Sequence, residues 1–97
     1  MIGARGEVGI VIDGVERRLC LTLGALAELE TAFGCTRMSE LVARMRALSA
    51  GDIMVVLAVL LRGGGEADVA EGLKAADVSP GDAAAAISEA FQLGLAP

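Results

Sequence analysis

The 97-residue sequence has no histidine, tryptophan or tyrosine, and two phenylalanines are its whole aromatic content. Without histidine, the chain lacks the commonest general base of enzymes and the commonest metal ligand. Because aromatics are so scarce, the 55% of residues that are hydrophobic must build a core from Leu, Val, Ile, Ala and Met. Such a core suits packed helices better than a β-sandwich, since aromatic residues usually stiffen strands.

Positive charge is also scarce. Eight Lys and Arg residues face thirteen Asp and Glu residues, which gives a net charge of −5, and the basic residues are scattered along the chain. Binding to a phosphate backbone depends on clustered basic side chains that release counterions. We therefore expect no nucleic-acid partner.

Long hydrophobic runs are missing as well. The longest, Ile53 to Leu61, is bounded by Asp52 and Arg62 and has about half of the roughly 20 residues that a membrane-spanning helix needs. The N-terminal sequence MIGARGEV has no apolar signal-peptide region. The expectation is a cytoplasmic protein with no membrane segment, in which Cys20 and Cys35 are buried thiols.

Residues 7–21 predict a β-hairpin. Two β-favouring runs flank Asp13-Gly14, a pair typical of a tight type I′ turn because both residues tolerate positive φ. A lone hairpin is marginally stable in water, so this one should pack on helices or pair with a neighbouring strand. The residues expected to share a face are Val8, Ile10 and Ile12 on the first strand, and Val15, Arg17, Leu19 and Leu21 on the second.

Residues 22–95 predict four to five short helices. Thr22 can cap the first helix and Gly34 can end it, with an apolar stripe at Leu23, Leu26, Leu29 and Phe33. Thr36 or Ser39 can cap the second, which should run to about Leu48 with Leu41, Met45 and Leu48 on one face.

The remaining helices have clearer boundaries. Ser49 to Asp52 resembles a capping box ahead of the apolar run, which should form the most buried helix. The glycines at 63–65 predict a flexible joint, followed by a weaker helix over 66–77 that Gly72 interrupts. The last helix should start at Ser79-Pro80 and reach about Leu93, with a core face of Ala83, Ile87, Ala90 and Phe91. The predicted fold is thus α+β, mostly α, in a single domain over residues 1–97.

No recognisable catalytic, cofactor or metal site follows from these residues. Cys20 and Cys35 have no histidine to activate them, and the triple glycine lacks the Lys-Ser or Lys-Thr of a phosphate loop. The acidic group Glu66, Asp68 and Glu71 lacks the order of a calcium loop and reads as a solvated helix face. We therefore expect a protein that is not an enzyme and has no cofactor.

Protein binding is the better hypothesis, because a small domain so rich in aliphatic residues has more apolar surface than it can easily hide. Methionines suit adaptable contacts with apolar partners, although core packing explains most of them. We name Met45, Met54 and Phe91 as candidate protein-binding residues.

Three segments, taken in order, resemble the small tail protein of gene transfer agents. They are RGEVGIVIDGVERRLCLTLGALAELETAFGC at 5–35, LSAGDIMVVLAVLLRGGG at 48–65, and EAFQLG at 89–94; the most specific piece is LTLGALAELETAFG at 21–34. That family is grouped with phage tail assembly chaperones and is also described as a tail tube family. The sequence departs from its apparent relatives in the link ARMRALSAG, at 43–51, and in a short stretch after the triple glycine.

The resemblance implies a role in building a phage-like tail inside a bacterial cell. Its chaperones are thought to coat the long, helical, aggregation-prone tape measure protein while tube subunits polymerise around it. We therefore predict a chaperone that binds the tape measure protein and other tail proteins. The alternative is a structural subunit that stays in the finished particle, and whether the chain forms a homo-oligomer is left open.

Overall fold

The computed structural model describes residues 6–96, in which an antiparallel hairpin precedes five α-helices. The prediction of an α+β, mostly α fold is confirmed. A single domain over 1–97 stays a prediction, because its two ends lie outside the described residues. The elements are β1 (Glu7–Ile12), β2 (Val15–Cys20), α1 (Leu23–Phe33), α2 (Met38–Arg44), α3 (Ala50–Gly63), α4 (Ala67–Glu71), a 3-10 turn (Leu73–Ala75) and α5 (Pro80–Gly94).

The hairpin has the predicted turn and register. Ile12 pairs with Val15 across the two-residue turn, where Asp13 and Gly14 have φ of 53° and 78°. The inner face of β1, at Val8, Ile10 and Ile12, is buried against α5, as predicted. On β2 the register sets Val15, Arg17 and Leu19 opposite Ile12, Ile10 and Val8, so they share that face as predicted. Leu19 is buried on it, whereas Val15 is exposed beside the turn.

Helix α1 begins and ends where the sequence predicts. The Thr22 hydroxyl accepts a hydrogen bond from the N–H of Ala25, and Gly34 closes the helix in the left-handed conformation. The apolar stripe is not buried along its whole length, since the side chain of Leu23 is 83% exposed. It occupies the first helical position, ahead of Ala25 and Leu29, whose buried face packs on α3.

Helix α2 begins at Met38, within the predicted region, but its capping residue and its end differ from the prediction. Its N-cap is Arg37, without a side-chain cap, because Thr36 instead donates its N–H and hydroxyl to the carboxylate of Glu40. The helix ends at Arg44 and not near Leu48. After Met45, whose N–H still bonds four residues back, the N–H groups of Arg46 and Ala47 bond three residues back, which tightens the chain and ends the helix.

Helix α3 lies at the centre of the fold. The capping box is confirmed, because Ser49 and Asp52 exchange side-chain to backbone hydrogen bonds of 3.0 and 3.1 Å. One side of the helix is fully buried and contacts the hairpin, α1 and α5, but its burial is not complete, since Met54 and Val55 remain exposed. The buried residues of α3 are Val56, Leu57, Val59, Leu60 and Leu61.

The predicted flexible joint at 63–65 is instead a close contact. A β-carbon on Gly63 would overlap the carbonyl oxygen of Cys20, and one on Gly64 would overlap that of Arg18. Beside them, Glu66 accepts a hydrogen bond from the N–H of Arg18 at 3.0 Å. These glycines therefore let the end of α3 lie directly on the outer edge of β2.

The predicted interruption at Gly72 and the predicted start of the last helix are both confirmed. Helix α4 ends at Glu71, and Gly72 separates it from the 3-10 turn. Helix α5 starts as predicted, with the Ser79 hydroxyl accepting from the N–H of Asp82 and proline in the first turn. Its predicted face is buried at Ala83, Ile87 and Ala90, whereas Phe91 is half-buried.

Candidate functional site

An apolar groove of about 620 Å³ separates α2 from α5. We call it the α2–α5 groove. Its members are mostly aliphatic, with one charged side chain among them. They are Val42, Met45, Arg46, Leu48, Ile53, Ala84, Ile87, Ser88, Phe91, Gln92, Leu95 and Ala96.

One wall is a continuous stripe of α5. Its groove residues recur every three or four positions from Ala84 to Leu95, so they lie on one face of the helix. The exposed members Ala84 and Ser88 are small and leave room for a partner, while Leu95 is 41% exposed at the far end. This wall has the apolar periodicity of a helix that packs against another helix.

The opposite wall is held in place by Arg44. Its guanidinium lies 2.8 Å from the Asp52 carboxylate, sits 4.8 Å from the Phe33 ring centroid, and donates to the Ala47 carbonyl at 2.9 Å. These contacts join α2 to α1, to α3 and to the turn that follows. Arg44 thereby orients the wall that carries Met45.

The structure brings together two of the three candidate protein-binding residues. Met45 and Phe91 are half-buried on opposite walls of the α2–α5 groove. Met54 lies apart, 39% exposed in a smaller groove of about 210 Å³ between α3 and the segment that leads into α5. Ile53 lines both grooves and separates them. Whether any of these residues binds a partner stays a prediction.

The sequence pattern did not single out Arg46, Ser88 or Leu95. Nothing in the local sequence marks an exposed arginine near a helix end, or a serine on an alanine-rich helix, as a binding residue. The spacing of residues 84, 88, 91 and 95 was the available signal, because it continues a helical stripe beyond the core residues Ile87 and Ala90.

The α2–α5 groove carries positive charge, although the net charge of the whole chain is negative. Its one charged residue is Arg46, and within residues 6–96 no carboxylate forms an ion pair with it. Arg17, Arg18, Arg44 and Arg62 by contrast all pair with Asp or Glu. The groove is therefore an apolar surface with a positive rim on an acidic protein.

The cysteines do not form an activated site. Cys20 and Cys35 are free and half-buried, which corrects the expectation of full burial. Burial of the Cys20 thiol, with a smaller effect of the Glu7 charge, raises the pKa of Cys20 above its usual range, which disfavours the nucleophilic thiolate. Among residues 6–96, no three His, Cys, Asp or Glu side chains are grouped to hold a metal ion.

The acidic group after the triple glycine is not a uniformly solvated face. Glu66 lies against β2, where its carboxylate contacts the guanidinium groups of Arg17 and Arg18 at 3.7 and 4.0 Å. Asp68 and Glu71 are exposed, as predicted. Glu66 therefore acts as a link between α4 and the hairpin.

The outer edge of β1 is a second feature that a partner could use. Ile10 and Ile12 direct their backbone groups toward β2, so those of Gly9 and Val11 point away from it. None of the hydrogen bonds between elements in residues 6–96 involves Gly9 or Val11. A cleft beside this edge is bordered by Glu16, Asp82 and Glu89.

Within the described part of the chain, no helix has both the length and the apolar character needed to cross a bilayer.

Comparison with known proteins identifies the family. No curated protein and no solved structure matches the chain. Residues 5–95 match the family model described as "Phage tail tube protein, GTA-gp10". This match spans nearly the whole chain and includes the hairpin, all five helices and both walls of the groove. The chain therefore belongs to this gene transfer agent family of phage tail proteins.

Proposed function

We propose that this protein is a phage-like tail assembly chaperone of the gene transfer agent type, which holds the tape measure protein in the α2–α5 groove. The observation that carries the proposal is the groove itself, whose walls are lined by Met45, Leu48, Phe91 and Leu95. Membership of a phage tail family supports a tail protein as the partner, because tail proteins assemble with other tail proteins.

The groove suits a helical client. An amphipathic helix binds by laying its apolar face into an apolar groove, with anchors three or four residues apart. The α5 stripe from Ala84 to Leu95 offers contacts at this spacing. A tape measure protein is a long succession of helices, so many copies of a weakly binding chaperone would hold it together through multivalency.

This role requires no chemistry, and we expect no catalytic activity and no cofactor. It places the protein in the bacterial cytoplasm while tails are built, whether or not some copies remain with the particle. Homo-oligomers are compatible with it, because neighbouring copies on one client can contact each other.

Co-expression with the cognate tape measure protein tests the proposal. We expect the two proteins to co-purify and the tape measure protein to become more soluble. Ala84→Arg should abolish this, because a long charged side chain would fill the groove wall. Ala85→Arg is the matched control, since Ala85 is exposed on the same helix but faces the cleft beside β1. Equal co-purification of both variants would contradict the proposal.

A structural subunit of the finished tail is the second candidate. The family description names the tail tube, and the outer edge of β1 could add a strand from a neighbouring subunit. Val11→Lys should then block assembly, because a charge on an edge strand opposes strand addition. Stoichiometric amounts of the protein in purified particles, sensitive to Val11→Lys, would favour this candidate.

A further inference from the structure

We infer that the occupant of the α2–α5 groove is an amphipathic helix of about three turns with an acidic side chain beside its apolar stripe, positioned to pair with Arg46. This inference rests on the proposed function, because it specifies the client of the same groove.

The length follows from α5. Its groove residues extend over twelve positions, from Ala84 to Leu95, which are eleven residue steps apart. At 1.5 Å per residue this is a wall of roughly 16 Å, which matches about three helical turns. Ala84 and Ser88 lie at one end of the wall, where small side chains let a second helix approach closely.

The apolar stripe of the occupant follows from the rest of the lining. Val42, Met45, Leu48 and Phe91 are half-buried, so each keeps part of its apolar surface in water. Covering these surfaces with Leu-like side chains contributes roughly 25 cal/mol for each Å² removed from water. The polar side chains of the lining are Arg46, Ser88 and Gln92, and the other members are apolar, which favours an apolar ligand over a polar small molecule.

The acidic flank follows from charge complementarity. Arg46 is exposed at the rim, and among residues 6–96 no Asp or Glu lies within ion-pair distance of it. A carboxylate on the bound helix would meet the cation without breaking an existing pair. A basic flank would meet repulsion from the same cation.

The smaller groove repeats this arrangement. It is lined by Met54, Leu57 and Val78, and its one cation is Lys74, which also forms no ion pair within residues 6–96. Since each groove has an apolar lining and one cation, both favour apolar segments with acidic flanks.

The test uses two helical peptides of about 18 residues, long enough to form a helix in water. They share a Leu stripe and differ in having Glu or Lys at the flanking positions. With the full chain, the Glu peptide should bind and the Lys peptide should bind about threefold to tenfold more weakly. This preference should shrink at about 1 M salt, where exposed charges are screened.

Charge reversal provides the control. Arg46→Glu should exchange the order of the two peptides, and Arg37→Glu, an exposed arginine outside the groove, should leave the order unchanged. Circular dichroism of each variant shows that it is folded. Binding of both peptides with equal affinity would overturn the inference, as would a dimer of this chain that Ala84→Arg dissociates.

The two proposals fail in different ways. If the tape measure protein co-purifies but neither peptide binds, the acidic-helix inference is wrong and the chaperone proposal stands. If the Glu peptide binds and Arg46→Glu reverses the preference, but the tape measure protein does not co-purify, the groove has this ligand chemistry and a different client.

Discussion

The Arg44 guanidinium lies 2.8 Å from the Asp52 carboxylate, and this ion pair joins α2 to the first turn of α3. Both residues are more than a fifth exposed, so water weakens the attraction. The main effect of the ion pair is to hold α2 in position, because the same guanidinium contacts Phe33 and fixes one wall of the groove.

Replacement of Arg44 should therefore affect binding more than stability. We expect Arg44→Gln to lower the free energy of unfolding by about 1 kcal/mol or less and to weaken client binding several-fold, since the guanidinium contacts from α2 to α1 and α3 are lost. Urea unfolding and peptide titration measure the two effects. Arg62→Gln is the control, because Arg62 pairs with Glu28 away from the groove. Equal losses of binding in both variants would contradict this role.

Stability should decrease at acidic pH, and Asp52 should contribute. The N–H of Ser49, followed by Arg44, holds the pKa of Asp52 below its usual range. The folded state thus binds this proton less readily than the unfolded state. Its stabilising effect is fully present above the ordinary carboxyl pKa of about 3.9 and is lost as the pH falls through the lowered value.

Thermal unfolding across the acidic range measures this effect. Asp52→Asn should reduce the loss of Tm between neutral and acidic pH. Asp68→Asn, at an exposed position on α4, serves as the control. A loss of Tm as large in Asp52→Asn as in the wild type would show that the effect comes from other carboxylates, such as Glu40, whose pKa is lowered by hydrogen bonds from Thr36.

Substitution of Gly64 should disrupt the contact between α3 and the hairpin. A β-carbon at this position would overlap the carbonyl of Arg18, so Gly64→Ala should cost about 1–3 kcal/mol. Gly51→Ala lies in the first turn of α3, where a β-carbon would be 3.9 Å from the Ser49 hydroxyl oxygen, and should be neutral or stabilising by up to about 1 kcal/mol. Chemical unfolding compares them, and similar values would argue against the close contact.

The hairpin turn should depend on the Asp13 side chain. Asp13 donates its N–H to the carbonyl of Asp77 at 3.0 Å, and its carboxylate accepts from the N–H of Asp77 at 2.7 Å. Asp13→Ala should cost about 1–2 kcal/mol, because it removes the acceptor and disfavours positive φ. Asp13→Asn keeps an oxygen and tolerates this backbone, so it should cost less. Equal unfolding midpoints would refute this explanation.

Two leucines should respond very differently to truncation. Leu60 is fully buried on α3, and Leu60→Ala should cost about 2–5 kcal/mol. Leu23 is 83% exposed, and Leu23→Ala should change stability by less than about 0.5 kcal/mol. Urea unfolding of both variants checks this contrast, and a large loss at Leu23 would mean that its side chain is covered in solution.

The features predicted correctly from the sequence are local ones. The hairpin turn at Asp13-Gly14 and the caps at Thr22, Ser49 and Ser79 involve residues within a few positions of each other, so their chemistry is visible in a short window. The stripe of α5 was visible for the same reason, and it gave Phe91 as a candidate.

The features missed depend on contacts between distant segments. Nothing near Gly63 and Gly64 shows that the backbone of β2 passes over them, so a flexible joint was the natural prediction. Periodicity places Leu23 on the apolar stripe of α1, but it does not show which part of that stripe other elements cover, and Leu23 is exposed. The groove itself is a gap between α2 and α5, segments separated by about forty residues, and its lining could be found only from the fold.

Site-specific photo-cross-linking in cells that assemble tails tests the central claim most directly. A photoreactive residue replaces Gln92, which is exposed within the α2–α5 groove, or Glu71, which is exposed on α4 outside it. We predict a cross-link to the tape measure protein from position 92 and none from position 71. Equal cross-linking from both positions, or cross-links from position 92 only to other copies of this chain, would contradict the account.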